Sequence, residues 1–294
     1  MIISSLSERI IFFTVLTTEC VAIVTVNLLS IIIFIRNKSL RTRSMYLVMS
    51  LTVADLLFGS LSGSVDSFFT QNHYCPVVKF YSVSWEVSIA FYVLIRSFPF
   101  VSMTNIAVIS LERFHATFRP FRHRLIKRWV YVASIAVVWV FPTITVVIVG
   151  IEWFPMYLLY LAESLSCLCL IVIFVSYTSI LFKFRFGAHP QRHCAAALRQ
   201  RKLTVTLFII TLVSFLLWLP YSIYFFVDWL TDIFDSLSPP ELHRLIYSLS
   251  FLYYANAIVN PFLYTIRMPD FKKALLSLFR RPQRENVVIP LNGS

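Results

Sequence analysis

Asp55 lies in Leu51-Thr52-Val53-Ala54-Asp55-Leu56-Leu57, an ionisable side chain in the middle of an apolar run. A carboxylate placed at the centre of a bilayer costs about 3 kcal/mol or more, so a chain that carries one there must give it partners. Asn27, Ser102, Asn256 and Asn260 lie at matching depth in other apolar runs. Hydroxyl and amide oxygens around a carboxylate could hold a proton or a small hard cation such as sodium, which takes oxygen ligands. The alternative is a hydrogen-bonded packing network without an ion. A second constellation, Glu112-Arg113-Phe114, closes a later run, where adjacent acid and base can neutralise each other. Two more motifs are mechanical: Phe215-Leu216-Leu217-Trp218-Leu219-Pro220, and Asn256-Ala257-Ile258-Val259-Asn260-Pro261-Phe262-Leu263-Tyr264. Each proline removes a backbone hydrogen bond and kinks a helix, and the polar neighbours make both segments read as movable.

The elements that position these residues follow from composition. The chain has 294 residues, 58% hydrophobic and 14% charged, which is not the composition of a soluble fold. Mean hydropathy is +0.76. At roughly 20 to 25 residues per crossing, the length accommodates about seven helices and leaves no room for a globular enzyme domain. Apolar stretches run over 10–35, 45–69, 83–113, 129–150, 157–182, 203–229 and 243–266. They are long and continuously apolar, so the chain reads as an all-α membrane protein, a seven-transmembrane helix bundle, rather than a barrel of short alternating strands.

The net charge of +12 would suggest nucleic acid in a soluble protein; here its placement records topology. Of the 26 Lys and Arg, 21 fall in the first, third and fifth connections and the C-terminal segment. That puts the odd-numbered loops and the C-terminus in the cytoplasm and the N-terminus outside. The expected layout is an extracellular N-tail over 1–9, the membrane bundle over 10–266, and a cytoplasmic segment over 267–294. No removable signal peptide is expected, and the sequons at Asn37 and Asn292 fall on the cytoplasmic side.

With these elements in this order, the chain resembles the rhodopsin-like (class A) G-protein-coupled receptors. Asn27 resembles the family's first-helix Asn, and Leu51 with Asp55 its second-helix Leu-x-x-x-Asp. Glu112-Arg113-Phe114 resembles Asp-Arg-Tyr, Trp139 the fourth-helix Trp, and Trp218-x-Pro220 the sixth-helix switch. Asn260-Pro261-Phe262-Leu263-Tyr264 is a full Asn-Pro-x-x-Tyr, and Phe271-Lys272-Lys273 looks like the start of a short amphipathic eighth helix. The resemblance implies a plasma-membrane receptor in which an extracellular ligand lets the sixth helix swing outward about Pro220, opening a cytoplasmic cavity for a heterotrimeric G protein. It implies that Glu112 holds Arg113 in the resting state, that Arg113 on release meets Tyr177 and Tyr264, and that Pro120-Phe121 offer a knob to the G protein. A proline turn with Phe121 in the lipid interface explains that pair equally well. The basic loops would also touch anionic membrane lipids.

The chain departs from the family's pattern in several places. No extracellular cysteine pair can be drawn: Cys75 alone is outside, Ser88 stands at the third-helix staple position, and the second extracellular loop has no cysteine. Cys169 replaces the fifth-helix proline, Ser214 replaces a Phe of the sixth-helix switch, and Gln200 stands where many members have a Glu that locks the Arg. Pro99 inside the third helix should kink it or displace its outer residues. The short second extracellular loop, the missing staple and the missing proline resemble the melanocortin-like branch and partly the lipid-sensing receptors, although Asn260 is not the Asp usual in the former.

For the ligand, Ile95 stands where amine receptors have an Asp, and Tyr254 where opsins carry the retinal Lys, so neither an amine bound in the usual way nor retinal is expected. The outer half holds Asp66, Glu86, Glu163 and Asp228 against Arg96 and Arg244. That surplus suits a basic peptide or small molecule; the alternative is that Arg96 pairs with Glu163 or Asp66 inside the bundle. Trp218 and Tyr254 complete the expected ligand site, and the abundant aromatics leave a lipid ligand open. Other functions are weaker: no inverted repeat or continuous polar path suggests a transporter or channel, and no His-Glu-x-x-His helix suggests a metalloenzyme. His189 and His193 beside Cys194 are a poor metal pair in a basic loop. A receptor-like scaffold or dimerisation partner that does not signal stays open.

Overall fold

A computed structural model describes residues 6–62, 85–151, 155–186, 195–231 and 233–279. Among them all regular structure is helical. Seven long helices cross the fold: α1 (Leu6–Arg36), α2 (Arg43–Leu57), α3 (Trp85–Phe118), α4 (Arg128–Ile151), α5 (Pro155–Phe186), α6 (Ala195–Leu230) and α7 (Pro239–Arg267). A short α8 (Pro269–Phe279) follows, and a five-residue loop helix, Pro120–Arg124, sits between α3 and α4. In hydrocarbon every backbone N–H and C=O must be paired within the segment, which a helix does and a loop cannot. The windows in α1, α2, α4, α5 and α6 are long and apolar enough to cross a membrane. Many outward side chains are greasy: Val21, Val132 and Phe174 are each at least 60% exposed, as suits a surface facing lipid rather than water.

The helices extend beyond the apolar stretches that announce them. α5 continues to Phe186 and α6 begins at Ala195, so most of the basic residues expected in the connection 183–202 are helical. Charge does not end a helix; Lys, Arg and Ala are good helix formers once the chain leaves the bilayer. α3 likewise runs past Arg113 to Phe118, and it continues through Pro99.

α3 runs through the middle, touching α2, α4, α5 and α6, while α1 packs on α2 and α7 and α6 joins α5 to α7. The half of the bundle that carries α8 holds the largest apolar core, drawing Phe34, Leu51, Ile109, Ile180, Ile210 and Tyr264 from six helices. α8 docks there through Phe271, which is fully buried and lies 5.4 Å from the Phe34 ring and 5.9 Å from Tyr264. Its Lys272 and Lys273 face outward, the amphipathic pattern expected of it. Trp139 of α4 donates from Nε1 to the Ser50 hydroxyl of α2 at 2.9 Å.

At the outer end α7 starts at Ser238, whose backbone N–H and hydroxyl both donate to the Glu241 carboxylate, at 3.0 and 2.6 Å. Those hydrogen bonds hold that carboxyl below its ordinary range. Arg244 of α7 meets Glu8 of α1 at 2.6 Å, and Phe12 stacks on Tyr247 with ring centres 4.7 Å apart. α2 ends in a π-helical turn over Phe58–Ser62, which admits an extra residue per turn. Gly59 in this turn lies so close to α1 that a Cβ there would come within 2.5 Å of Ile23 Cγ2 and 2.9 Å of Ile23 Cβ. A branched Ile has one preferred rotamer in a helix and cannot swing aside. Gly59→Ala should therefore cost about 1–3 kcal/mol, read as a lower thermal unfolding midpoint in detergent, and Ile23→Ala in the same chain should restore part of it. An unchanged midpoint for Gly59→Ala would show that α1 and α2 can separate freely.

Candidate functional site

The buried polar network begins at Asp55, 1% exposed in α2. Its Oδ1 accepts from the Ser102 hydroxyl of α3 at 2.7 Å, and its Oδ2 accepts from Asn260 Nδ2 of α7 at 2.8 Å. Asn260 Oδ1 in turn accepts from the Ser214 hydroxyl of α6, a long bond of 3.4 Å. One carboxylate thus ties α2 to α3 and α7, and through Asn260 to α6. Asn27 takes a different place from the one its depth suggests. Its amide donates to the backbone carbonyls of Ile23 and Ala257, at 3.0 and 2.9 Å, so it pins α1 to α7 rather than contacting the carboxylate. Asn256 is 2% exposed and its Oδ1 has no hydrogen-bond partner among the described residues. It lines, with Asp55, Ser102, Pro99, Trp218 and Tyr253, a narrow crevice between the helices.

Above this crevice lies the Trp218–Pro220 segment of α6. Trp218 is 5% exposed, packs with Met103 and Leu170, and stacks on Tyr253 with ring centres 5.7 Å apart. Tyr253 also meets Tyr221 at 4.6 Å and Phe58 at 5.9 Å, and Phe58 stacks on Tyr254 at 4.5 Å. A continuous run of rings therefore connects α2, α7 and α6 at the bundle's middle.

At the end of the bundle that carries α8, Arg113 is fully buried and pairs with the neighbouring Glu112 through both Nε and Nη2, while Nη2 also reaches the Ser44 hydroxyl of α2 at 2.5 Å. Glu112 is a hub: Ser44 donates to its Oε1 at 2.9 Å, His123 Nε2 of the loop helix lies 2.7 Å away, and the Tyr131 hydroxyl of α4 donates at 3.2 Å. Arg113 Nη1 has no partner among the described residues. Tyr177 of α5 is buried, and its hydroxyl pairs with Thr211 Oγ1 of α6 at 2.9 Å, not with Arg113. Tyr264 of α7 is fully buried between Phe34 and Phe271. Pro120 opens the loop helix and Phe121 is 70% exposed. Lys183 of α5 donates to the Thr117 carbonyl at 2.7 Å and sits over the Phe118 ring, closing α5 onto the end of α3.

The outer ligand residues are less completely described. Asp66 and Cys75 lie outside the described residues, as do His189, His193 and Cys194; Glu86, Ser88, Ile95, Arg96, Glu163 and Gln200 stand on helices whose side chains there are also outside them. Of the expected ligand site, Trp218 and Tyr254 are described, both 5% exposed. Cys20, Cys167 and Cys169 form no disulfide among the described residues.

Sequence reasoning passed over several participants. Ser44, His123 and Tyr131 carry no motif, and only the fold brings them to Glu112. Thr211 hides in an apolar run. Ser214, which reads as a lost aromatic, is a hydrogen-bond donor to Asn260. Glu19 of α1 is the clearest omission: an acid inside an apolar run, 5% exposed, with neither oxygen partnered among the described residues. The rule that singles out Asp55 applies to it equally.

Residues 26–155 and 147–264 match the model of the 7 transmembrane receptor (rhodopsin family). Over 126 residues the chain is 33% identical to melanin-concentrating hormone receptor 1 of Rattus norvegicus, and equally to that of Homo sapiens. That match covers 42% of this chain and spans a third, 33%, of those receptors. Longer matches join it to Opsin-VA of Rutilus rutilus, 24% identical over 86% of this chain and 70% of the opsin, and to pinopsin of Gallus gallus, 25% identical over 90% and 80%.

Asn260→Ala leaves one oxygen of a buried carboxylate without its donor and should cost about 1–3 kcal/mol, whereas Ser214→Ala removes only a long neutral bond and should cost about 1 kcal/mol or less. Thermal midpoints of the two variants in the same detergent give the comparison. Equal losses would mean that the Asp55–Asn260 bond is not the stronger link of the chain.

Proposed function

The chain belongs to the rhodopsin family of seven-transmembrane receptors, and we propose that it passes an extracellular ligand signal to heterotrimeric G proteins by outward movement of α6 about Pro220. The observation that carries this reading is the double latch at the cytoplasmic end. Arg113 is sealed by Glu112 and Ser44, while Tyr177, a residue that could receive it, is engaged with Thr211 on α6. When α6 moves, Tyr177 loses Thr211 and becomes free to meet Arg113, whose Nη1 is already without a partner. Two arrangements of the same few hydrogen bonds form the bistable element that a ligand must bias. Protonation of Glu112, or loss of its contacts to His123 and Tyr131, would weaken the resting latch.

The Asp55 network connects that latch to the ligand side. Proline breaks in α6 and α7 lie within a turn or two of Ser214 and Asn260, so a rotation of Trp218 strains the bond between them. In this reading Asp55, with Ser102 and Asn256 as further oxygen donors, would hold a sodium ion, which would supply a charge that favours the closed state. Oxygen donors around one negative charge are the set a hard monovalent cation takes.

The chain sits in the plasma membrane with its N-terminus outside, and the exposed Pro120–Phe121 knob of the loop helix contacts the G protein. A hormone, the class named for the melanin-concentrating hormone receptors, fits a site at the outer half of the bundle.

Nucleotide exchange on a panel of G proteins, measured with the chain in lipid nanodiscs, tests the coupling. Basal exchange should rise severalfold for Glu112→Gln and fall to background for Arg113→Ala; no exchange on any G protein from either chain sinks the signalling claim. For the ion, replacing choline with sodium at constant ionic strength should raise the thermal midpoint of the parent chain and leave Asp55→Asn unmoved. A sodium effect that survives in Asp55→Asn removes the ion from this site.

A further inference from the structure

Asp55 and Glu112 each have hydrogen-bond partners, but the bundle holds a third buried carboxylate to which nothing in that circuit gives a role. Glu19 is 5% exposed on α1, and both its oxygens lack a hydrogen-bond partner among the described residues. Its depth and direction follow from its surroundings. Phe12, two turns outward on α1, stacks on Tyr247 of α7, and Asn27, two turns inward, bonds to Ala257 of α7. These contacts bracket Glu19 at the level of residues 251–254. Leu16, Cys20 and Ile23, on the same side of α1, pack against Phe58 and Tyr254. Glu19 thus stands, buried, on the part of α1 that borders the wedge between α1, the π turn of α2 and α7, whose lining from those elements is rings and apolar side chains.

We propose that Glu19 anchors an organic monocation, an ammonium or guanidinium group carried by the extracellular ligand, in this α1–α2–α7 wedge. An ionised carboxylate buried without a partner is costly, and an incoming cation supplies the partner it lacks. The rings of Phe58 and Tyr254 suit the same ligand, since aromatic faces attract ammonium and guanidinium ions once water is excluded. Small metal ions fit less well, because the wedge offers one carboxylate and few other oxygens. The position also gives such a ligand a route to the switch. Tyr254 stacks on Phe58, Phe58 meets Tyr253, and Tyr253 stacks on Trp218, so a group seated at Glu19 pushes on a continuous series of rings ending one turn from Pro220. The basic charge of the ligand is thus read from α1, not from the third-helix position held by Ile95. This inference rests on the receptor reading for its meaning, but the binding it states does not need a G protein.

The test therefore measures binding alone. The full chain in nanodiscs is titrated with phenethylammonium and phenethylguanidinium, and with 3-phenylpropanol as the neutral control, following the thermal midpoint. At least one cation should raise the midpoint and the alcohol should not. The apparent Kd for that cation should weaken by about tenfold or more in Glu19→Gln, as expected for loss of a buried charged contact, and should be largely kept in Glu19→Asp. Asp55→Asn should keep the cation effect, which separates this site from the crevice below. If Glu19→Gln binds the cation as well as the parent chain does, or if neither cation shifts the parent midpoint, the proposal is overturned. A Glu19-dependent shift in a chain that drives no nucleotide exchange upholds the site and counts only against the signalling reading.

Discussion

The hydrogen bonds to the Asp55 carboxylate are the constraint on which the remainder of the bundle depends. An acid at this depth in a bilayer is costly unless it is hydrogen-bonded, so the places of Ser102 and Asn260, and with them α3 and α7, are tied to it. The apolar contacts around it would tolerate several packings, because lipid chains are as greasy as the helices and supply no preference between them. A buried carboxylate with directional partners removes that freedom. The crossings of α2 with α3 and α7 are accordingly set by two bonds of 2.7 and 2.8 Å. The closest approach of α1, by contrast, is set by a glycine and a branched side chain at Gly59 and Ile23.

The second centre, around Glu112, uses the same chemistry to a different end. Asp55 joins helices at mid-depth with two neutral donors, whereas Glu112 collects a charged donor, two hydroxyls and a histidine near the C-terminal end of α3. A network of charge-assisted bonds to one carboxylate is strong while intact and fails as a unit when that carboxylate is neutralised. Its partners come from α2, the loop helix and α4, so the segment that presents Phe121 to the outside is tied to the same oxygen as Arg113. α6 is tied to the first centre by Ser214, which bonds Asn260, and to α5 by Thr211, which bonds Tyr177, three residues apart on one helix.

Much of this was legible in the sequence, and the parts that were not share a physical cause. Continuous apolar runs identify the helices because the bilayer allows few other structures. Asp55, Asn260, Arg113 and the two prolines stand out because each is costly where it is. Ser44, Thr211 and Ser214 are cheap anywhere in a helix, since a short hydroxyl can return its proton to the carbonyl one turn back, as Thr14, Thr18 and Thr25 do, and Tyr131 reads as one more aromatic of an apolar run. Their long-range bonds are therefore invisible until the helices are packed. Helix ends were misjudged for a related reason: hydropathy marks where the hydrocarbon ends, not where the backbone ladder does, and α5 and α6 carry their basic residues on continuing helix. Glu19 obeyed the same rule as Asp55 and was legible; the seventh-helix residues opposite it were not, because their register depends on the stacking of Phe12 on Tyr247.

The account as a whole stands on α6 having two positions relative to the rest of the bundle. Spin labels placed on exposed sites at Lys127, beside the start of α4, and Lys202, in the N-terminal part of α6, report that separation directly by pulsed electron paramagnetic resonance. The account predicts a dominant short distance in the resting chain, with a longer one that grows when Glu112→Gln is introduced or G protein is added. A single distance, unchanged by either, would contradict it.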